Sequence, residues 1–374
     1  MREKEVGEEH PLVAKALRAG NPYELCWCGS GRKFKWCHWS REKEEALTVG
    51  KVLHETDRIF WRDRGCMDPR ASELLCSGKV IDAHTIQRKG PLQKIIGDDN
   101  HVCQLANRAR DGITLENIGW KKASTFPGYC SKHDAEIFDA LERSPFTGTH
   151  EQCVLQTYRN VCNELYKKHA VIESLEYQRT VIDRGCDSAE QINRQLSVYE
   201  SIIGQEKARD ELESVRRNFD DAVTEGRYDL FLSKCYFFKG DLSITSAGAL
   251  NAEHDFHGEL LMDLWDLSLD AEMLSHSIMA TDEGGAIVFT WLASQKLPAA
   301  VVASFDKVAN NDKGDIFSQY CFLNCENTYF AKKWWEQLTP SQQAQLKQYA
   351  ATMYYEGGSF VRSEDSLVNW DFET

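Results

Sequence analysis

The stretch NPYELCWCGSGRKFKWCHWS at residues 21–40 sets Cys26 and Cys28 two apart, then a Gly-Ser-Gly turn, a basic-aromatic run and the pair Cys37-His38. Four donors drawn from thiolate and imidazole are what a tetrahedral Zn2+ ion takes. Gly29 and Gly31 let the backbone curl around a metal with φ > 0, and amides of such a turn stabilise thiolate charge. The chemistry expected here is structural: a bound ion folds a segment that is too short to fold by burial.

A second set of donors is spread more widely. Cys66 and Cys76 are followed far downstream by Cys130 and His133, a C-x-x-H pair that leads into a helical pattern. Ligands from an early knuckle and from a helix start predict a treble-clef arrangement around a second Zn2+. His101 and Cys103 are alternative ligands in the intervening stretch. Between the knuckles, VIDAHTI reads as a short strand ending in Asp82-Ala83-His84. His84 has three readings: a zinc ligand, a buried and satisfied imidazole, or a base.

Residues 21–40 resemble the SEC-C motif, first recognised at the carboxyl end of the SecA translocation ATPase. Asn21-Pro22, the CWCGSGRKFKWCH core and the ligand order carry the resemblance. It implies a small knuckle that contacts a protein partner such as the SecB chaperone, or ribosomes or nucleic acid. The order of cysteine pair, strand with an Ala-His step, and C-x-x-H followed by a polar residue resembles the HNH endonucleases.

That second resemblance implies that His84 activates water for attack on a phosphodiester. It places Asp134 where a ligand of a catalytic Mg2+ or Mn2+ would stand, and Asp82 is a candidate further ligand. The departures are a stretched first knuckle, a second knuckle that ends in His133-Asp134 where Cys-His is common, and an asparagine without a clear match, for which Asn107 and Asn117 are candidates. Arg88, Lys89 and Lys94 follow His84 and could neutralise phosphates. Segments STFPGYCSKHD and CENTYFAKKWWEQL also look like those of bacterial proteins with an amino-terminal SEC-C motif. HNH proteins of this build often serve in defence against phage.

The charge balance directs where nucleic acid would bind. Residues 1–150 hold 24 Lys/Arg against 22 Asp/Glu, whereas residues 151–374 hold 20 against 36. The amino-terminal part is therefore near neutral and the rest strongly acidic, so nucleic acid should meet the first third. Arg32, Lys33 and Lys35 alternate with Phe34 and Trp36, either as a stacking platform or as a miniature core around the metal.

Thirteen cysteines in 374 residues read as metal ligands plus buried thiols rather than a disulfide framework, with Cys153, Cys162, Cys186 and Cys235 as core residues. The start MREKEVGEEH has no apolar stretch behind its charges, and no run is long enough to span a membrane. A cytoplasmic protein without membrane contact is the expectation.

The positioning elements form a multidomain α+β chain: a SEC-C knuckle at 1–45, a treble-clef or HNH-like zinc module at 55–150, a helical hairpin or coiled coil at 151–226, and an acidic α+β domain at 227–374. Leu155, Tyr158, Cys162, Leu165 and Tyr166 repeat at helical spacing. Ser188 with Gln191 reads as a capping box. From there Ile192, Leu196, Tyr199 and Ile203, then Leu212, Val215, Phe219 and Val223, keep an apolar stripe to Gly226. That stripe packs on the first helix or joins two copies of the chain as a homodimer. Beyond it the period becomes two in YDLFLSKCYFF, ELLMDLWDL and the hairpin LSHSIMAT/AIVFTWLA, before a helix capped by Thr339 and Gln342. His254 and His257 read as a polar loop.

Overall fold

The computed structural model describes residues 10–108, 111–251, 253–355 and 365–372. Of the charged start MREKEVGEEH, residues 1–9 lie outside the described residues. The chain mixes helices and sheet. In order it forms α1 (Pro11–Arg18), α2 (Val49–Phe60), β1 (Val80–His84), α3 (Gln93–Ile95), β2 (His101–Arg108), β3 (Gly112–Gly119), β4 (Thr125–Cys130), α4 (Ser131–Ile137), α5 (Asp139–Glu142), α6 (His150–Arg179) and α7 (Ser188–Glu225). Then follow β5 (Phe231–Lys239), β6 (Ile244–Asn251), β7 (Met273–Ala280), β8 (Gly284–Leu292), α8 (Leu297–Asp306), α9 (Asn310–Asn324), β9 (Thr328–Phe330), α10 (Lys332–Gln337), α11 (Pro340–Tyr355) and β10 (Asp371–Phe372).

Two compact units result. One comprises Met1–Arg62 with Tyr166–Asp210, and the other Asp63–Leu165 with Glu211–Thr374. Each long helix therefore contributes to both units. The stripe on α7 divides accordingly: Leu196 packs with Leu12, Val13 and Trp27 in the first unit, with Ile192 and Tyr199 beside them. Phe219 stacks on Tyr158 at 6.0 Å and meets Phe231 at 4.1 Å in the second. The weak apolar period between Ile203 and Leu212 marks the change from one core to the other.

In the second unit, eight antiparallel strands run in the order β10-β5-β8-β7-β6-β9-β2-β3. Strands β2 and β3, which lie within residues 55–150, join this sheet through β9, with Cys103 opposite Phe330. Strands β7 and β8 form the hairpin that the alternation predicts and are buried along nearly their whole length. Alternation along β7 sends Ser275 and Ser277 to Asn160 of α6, each at 3.0 Å, while His276 lies edge-on to Phe317 and Tyr320 of α9. Helix α6 is thus buried on all sides from Gln152 to Asn163 rather than on one stripe. Its Asn160 is hydrogen-bonded into the sheet and its Gln156 into the loop after β1.

Three local expectations change. Helix α7 is capped by Asp187, whose Oδ1 accepts the Glu190 N–H at 2.9 Å, and Gln191 instead donates to the Cys186 carbonyl. The box Thr339/Gln342 does form, with reciprocal bonds of 2.8 and 3.3 Å. The segment ELLMDLWDL is an exposed loop, not a strand, because Asp263 and Asp266 accept backbone N–H groups two residues on. At the end of α7, Gly226 adopts φ +68° and the Arg227 N–H bonds back to the Ala222 carbonyl, closing the helix as its sequence predicts.

Two tests follow. Asp187→Ala should cost about 1 kcal/mol of stability, whereas Ser188→Ala should stay within about 0.5 kcal/mol, as read by denaturant unfolding. His276 is buried, and burial pushes its pKa down to about 4. The fold therefore favours its neutral form, and the stability this contributes is full above pH 6.5 and lost as pH falls towards 4. His276→Asn should flatten the pH dependence of unfolding in that window by up to about 3 kcal/mol.

Candidate metal centres

In the first unit, an isolated bridge between Leu25 and Lys33 draws the two arms of the knuckle together. Gly29 and Gly31, at φ +79° and +70°, turn the backbone between them. A short helical turn at Phe34–Trp36 then presents Cys37 and His38. The ligand atoms of Cys26, Cys28, Cys37 and His38 all lie within 4.8 Å of one another. His38 Nδ1 is 3.2 Å from both Cys26 Sγ and Cys37 Sγ, and the Sγ atoms of Cys28 and Cys37 are 3.6 Å apart. A zinc tetrahedron with Zn–S of about 2.3 Å and Zn–N of about 2.0 Å has edges of roughly 3.5–3.8 Å. The sulfur pair at 3.6 Å lies in that range. The two nitrogen–sulfur distances of 3.2 Å are somewhat shorter, and the four donors are of the kind and number that the ion takes. The cysteines divide the charge: hydrogen bonds with Cys26 and Cys37 lower the Cys28 thiol, and those with Cys28 and Cys37 raise Cys26.

The other imidazole nitrogen is held by a residue 145 positions away. His38 Nε2 donates to Asp183 Oδ2 at 2.7 Å, and both side chains are almost wholly buried. Asp183 also receives Arg41 Nε at 2.8 Å and Gln195 Nε2 at 2.8 Å. Arg41 continues to the Thr180 carbonyl at 2.6 Å. Burial alone would lower the pKa of His38, but Asp183, Cys28 and Cys37 push it up to about 11. The carboxylate fixes the tautomer that aims Nδ1 at the thiols. Local spacing carried no sign of Asp183, Arg41 or Gln195, since they meet His38 only through the fold.

The aromatic side chains of the knuckle divide into packed and exposed ones. Trp27 is buried against His38, with ring centroids 4.6 Å apart, and Phe34 packs on the same cluster. Trp36 and Tyr23 are each 66% exposed, and Lys35 Nζ lies over both rings at 4.9 and 4.4 Å.

In the second unit, Cys66, Cys76, Cys130 and His133 form the other cluster within 4.8 Å. His133 Nδ1 is 3.4, 3.6 and 3.4 Å from the three sulfurs in turn. Strand β1 pairs antiparallel with β4, which ends at Cys130, and α4 carries His133. Burial opposes a thiolate at Cys130, but the backbone N–H groups of His133 and Ser77 bring its pKa down to about 6. Burial pushes Cys66 up to about 11. The alternative ligands lie elsewhere: the Cys103 thiol donates to Asn117 Oδ1 at 3.1 Å, and His101 Nδ1 meets the Asp99 carbonyl at 2.7 Å. Among the described residues, no other group of His, Cys, Asp and Glu gathers three donors this closely, His254 and His257 included.

His84 ends β1 opposite Thr125, outside the thiol cluster. It is half-buried, and Nε2 has no hydrogen-bond partner among the described residues. Burial lowers its pKa to about 4, with Arg88 and Arg159 adding to the effect and Glu142 opposing it. Asp134 feels the same Arg159 and Glu142, and burial raises its carboxyl above the ordinary value. Its Oδ1 is 3.9 Å from Arg159 Nη2. Asp82 shares a face of β1 with His84 by alternation but is exposed, whereas Ala83 is buried. Asn107 and Asn117 lie in the eight-stranded sheet, on β2 and β3, and not on β1, β4 or α4. Arg88 sits over Trp120 at 5.6 Å, and Lys89 and Lys94 are exposed. Arg159 and Glu142 are the members of this polar group that the sequence did not single out. A lone arginine within a helix gives no periodic signal of its partner.

Residues 24–40 match the family model of the SEC-C motif. The match takes in all four donors of the first cluster and stops before Arg41 and Asp183. No curated protein and no solved structure matches the chain. The SEC-C motif and the two Cys/His clusters fit a zinc-binding protein. Among the described residues no helix is long and apolar enough to cross a membrane. All thirteen cysteines are free thiols, so none is withdrawn from ligation or packing by a disulfide.

The second contact of His38 gives the test. Asp183→Asn keeps the shape but loses the charge, and should weaken zinc binding at the first cluster by about 10–100-fold. Competition with a chromogenic chelator should show this loss in one of two zinc equivalents, the other being unchanged.

Proposed function

We propose that the second cluster is a treble clef that carries an HNH-type site for metal-dependent hydrolysis of phosphodiesters. The observation that supports this most is the placement of His84. It closes a strand paired with the ligand-bearing strand, with a buried, unpartnered Nε2 beside charges that also act on Asp134. In this reading His84 is neutral at physiological pH and takes the proton of the attacking water at Nε2.

Asp134, whose Oδ1 has no hydrogen-bond partner among the described residues, and Asp82 from the same face of β1 as His84, would hold Mg2+ or Mn2+. Such an ion keeps several waters and needs only one or two protein carboxylates. When bound, it supplies neutralisation of the charge that builds on the phosphoryl oxygens. The four donors Cys66, Cys76, Cys130 and His133 hold zinc and fix the strand pair and helix against each other.

The SEC-C knuckle adds a recognition surface in this proposal. Exposed Tyr23 and Trp36 bracket the Lys35 ammonium, an arrangement suited to stacked bases and phosphates of nucleic acid. A protein or ribosomal partner at the same knuckle, without hydrolysis at His84, is the adaptor reading. A role in phage defence would follow from the nuclease and not from the adaptor.

Purified protein should cut DNA or RNA in the presence of Mg2+ or Mn2+. His84→Ala should reduce the rate by about 100-fold or more while zinc content remains at two. Loss of one zinc in His84→Ala would make His84 a ligand, and unchanged cleavage would remove it from the chemistry.

A further inference from the structure

The end of β1 and the residue after it, the middle of α4 and the middle of α6 carry buried polar atoms without a hydrogen-bond partner among the described residues. His84 Nε2, Thr85 Oγ1, Asp134 Oδ1, Gln156 Oε1 and Arg159 Nε are all buried without a hydrogen bond among the described residues. Gln156 reaches the Thr85 carbonyl at 3.1 Å, which ties the loop to the helix. Buried polar groups are nearly always satisfied, so a group of orphans in one place points to something that binds there.

Arg159 is the most demanding of them. It is 1% exposed, and its Cζ lies over the Phe138 ring, 4.0 Å from the centroid. Among the described residues it donates from Nη1 to Glu142 Oε1 at 2.9 Å, and its contact with Asp134 is a longer ion pair at 3.9 Å, beyond hydrogen-bond reach. A guanidinium has five N–H donors in a planar fork, shaped to take two oxygens of a phosphate at once. Desolvation makes it strong: a cation out of water gains more from an anion than an exposed one does. Glu142, its present partner, has 36% of its side chain open to solvent and sits at the edge of the site. An entering anion can thus replace that carboxylate, whereas Arg159 itself has no freedom to turn away.

We propose that Arg159, delivered by α6 from outside the zinc module, is the phosphate-binding residue of this site, and that Glu142 occupies its fork until a phosphoryl group displaces it. The proposal rests on the hydrolase reading for its substrate class, a phosphodiester, but concerns binding alone. Glu142 then acts as a built-in competitor: it keeps the buried cation paired in the free protein and weakens the hold on anions of the wrong size or charge.

The test uses the full chain with His84→Ala, which removes turnover, and inorganic phosphate as the probe in calorimetric titration. Glu142→Gln should tighten phosphate binding by about three- to tenfold, since the competing charge is gone and an amide remains. Arg159→Met should abolish the binding, and Arg159→Lys should retain part of it. A merely structural ion pair predicts the opposite for Glu142→Gln: weaker or unchanged binding overturns the proposal, and so does phosphate binding that survives Arg159→Met. Because the Glu142 variant keeps Arg159 in place, the answer does not depend on Arg159→Met folding. Failure of cleavage by the unaltered protein would count against the hydrolase and leave these binding outcomes readable.

Discussion

Three sulfurs confined with one imidazole nitrogen within 4.8 Å cannot all be thiolates unless a cation sits among them. Without one, protons must be shared, and the opposite displacements of Cys26 and Cys28 express that conflict. With one, thiolate repulsion becomes attraction and a segment of knuckle length gains a centre to fold around. The surrounding structure is arranged to serve that centre. Asp183 orients His38, Arg41 neutralises Asp183, and the turn between α6 and α7, with Gln195 near the start of α7, brings these groups to the knuckle.

The second cluster shows the same economy with a different use. Its ligands pin a two-stranded ribbon to the start of α4, leaving the far end of β1 to present His84. Helix α6 then supplies what the small ribbon lacks, a rigid buried wall. Its apolar residues pack, its asparagine and glutamines bond to sheet and loop, and its arginine remains incompletely paired. In a helix so deeply buried, an unsatisfied guanidinium is costly to stability and so marks the place where binding would compensate.

Much of this was legible in the sequence because its signals are local. C-x-C and Cys-His spacing, two glycines able to take φ > 0, and a C-x-x-H at a helix start identify both donor sets. The β7/β8 hairpin, the Thr339 box and the Gly226 stop are equally local. What could not be read depends on pairing across the chain. Asp183 lies 145 residues from His38, and Arg159 is one polar residue in a helix whose apolar repeat predicted a single buried face. The loop ELLMDLWDL misled because alternation scores hydrophobicity alone, while Asp263 and Asp266 bond their own backbone. The capping of α7 was misplaced by one residue for a similar reason, as both Asp187 and Ser188 can cap.

Metal content tests the account most directly. Protein purified without added metal and analysed by plasma mass spectrometry should contain two zinc ions per chain, and removing them with a strong chelator should unfold residues 24–40 and 66–133 as followed by hydrogen exchange. A metal-free protein that protects those same backbone amides would contradict it.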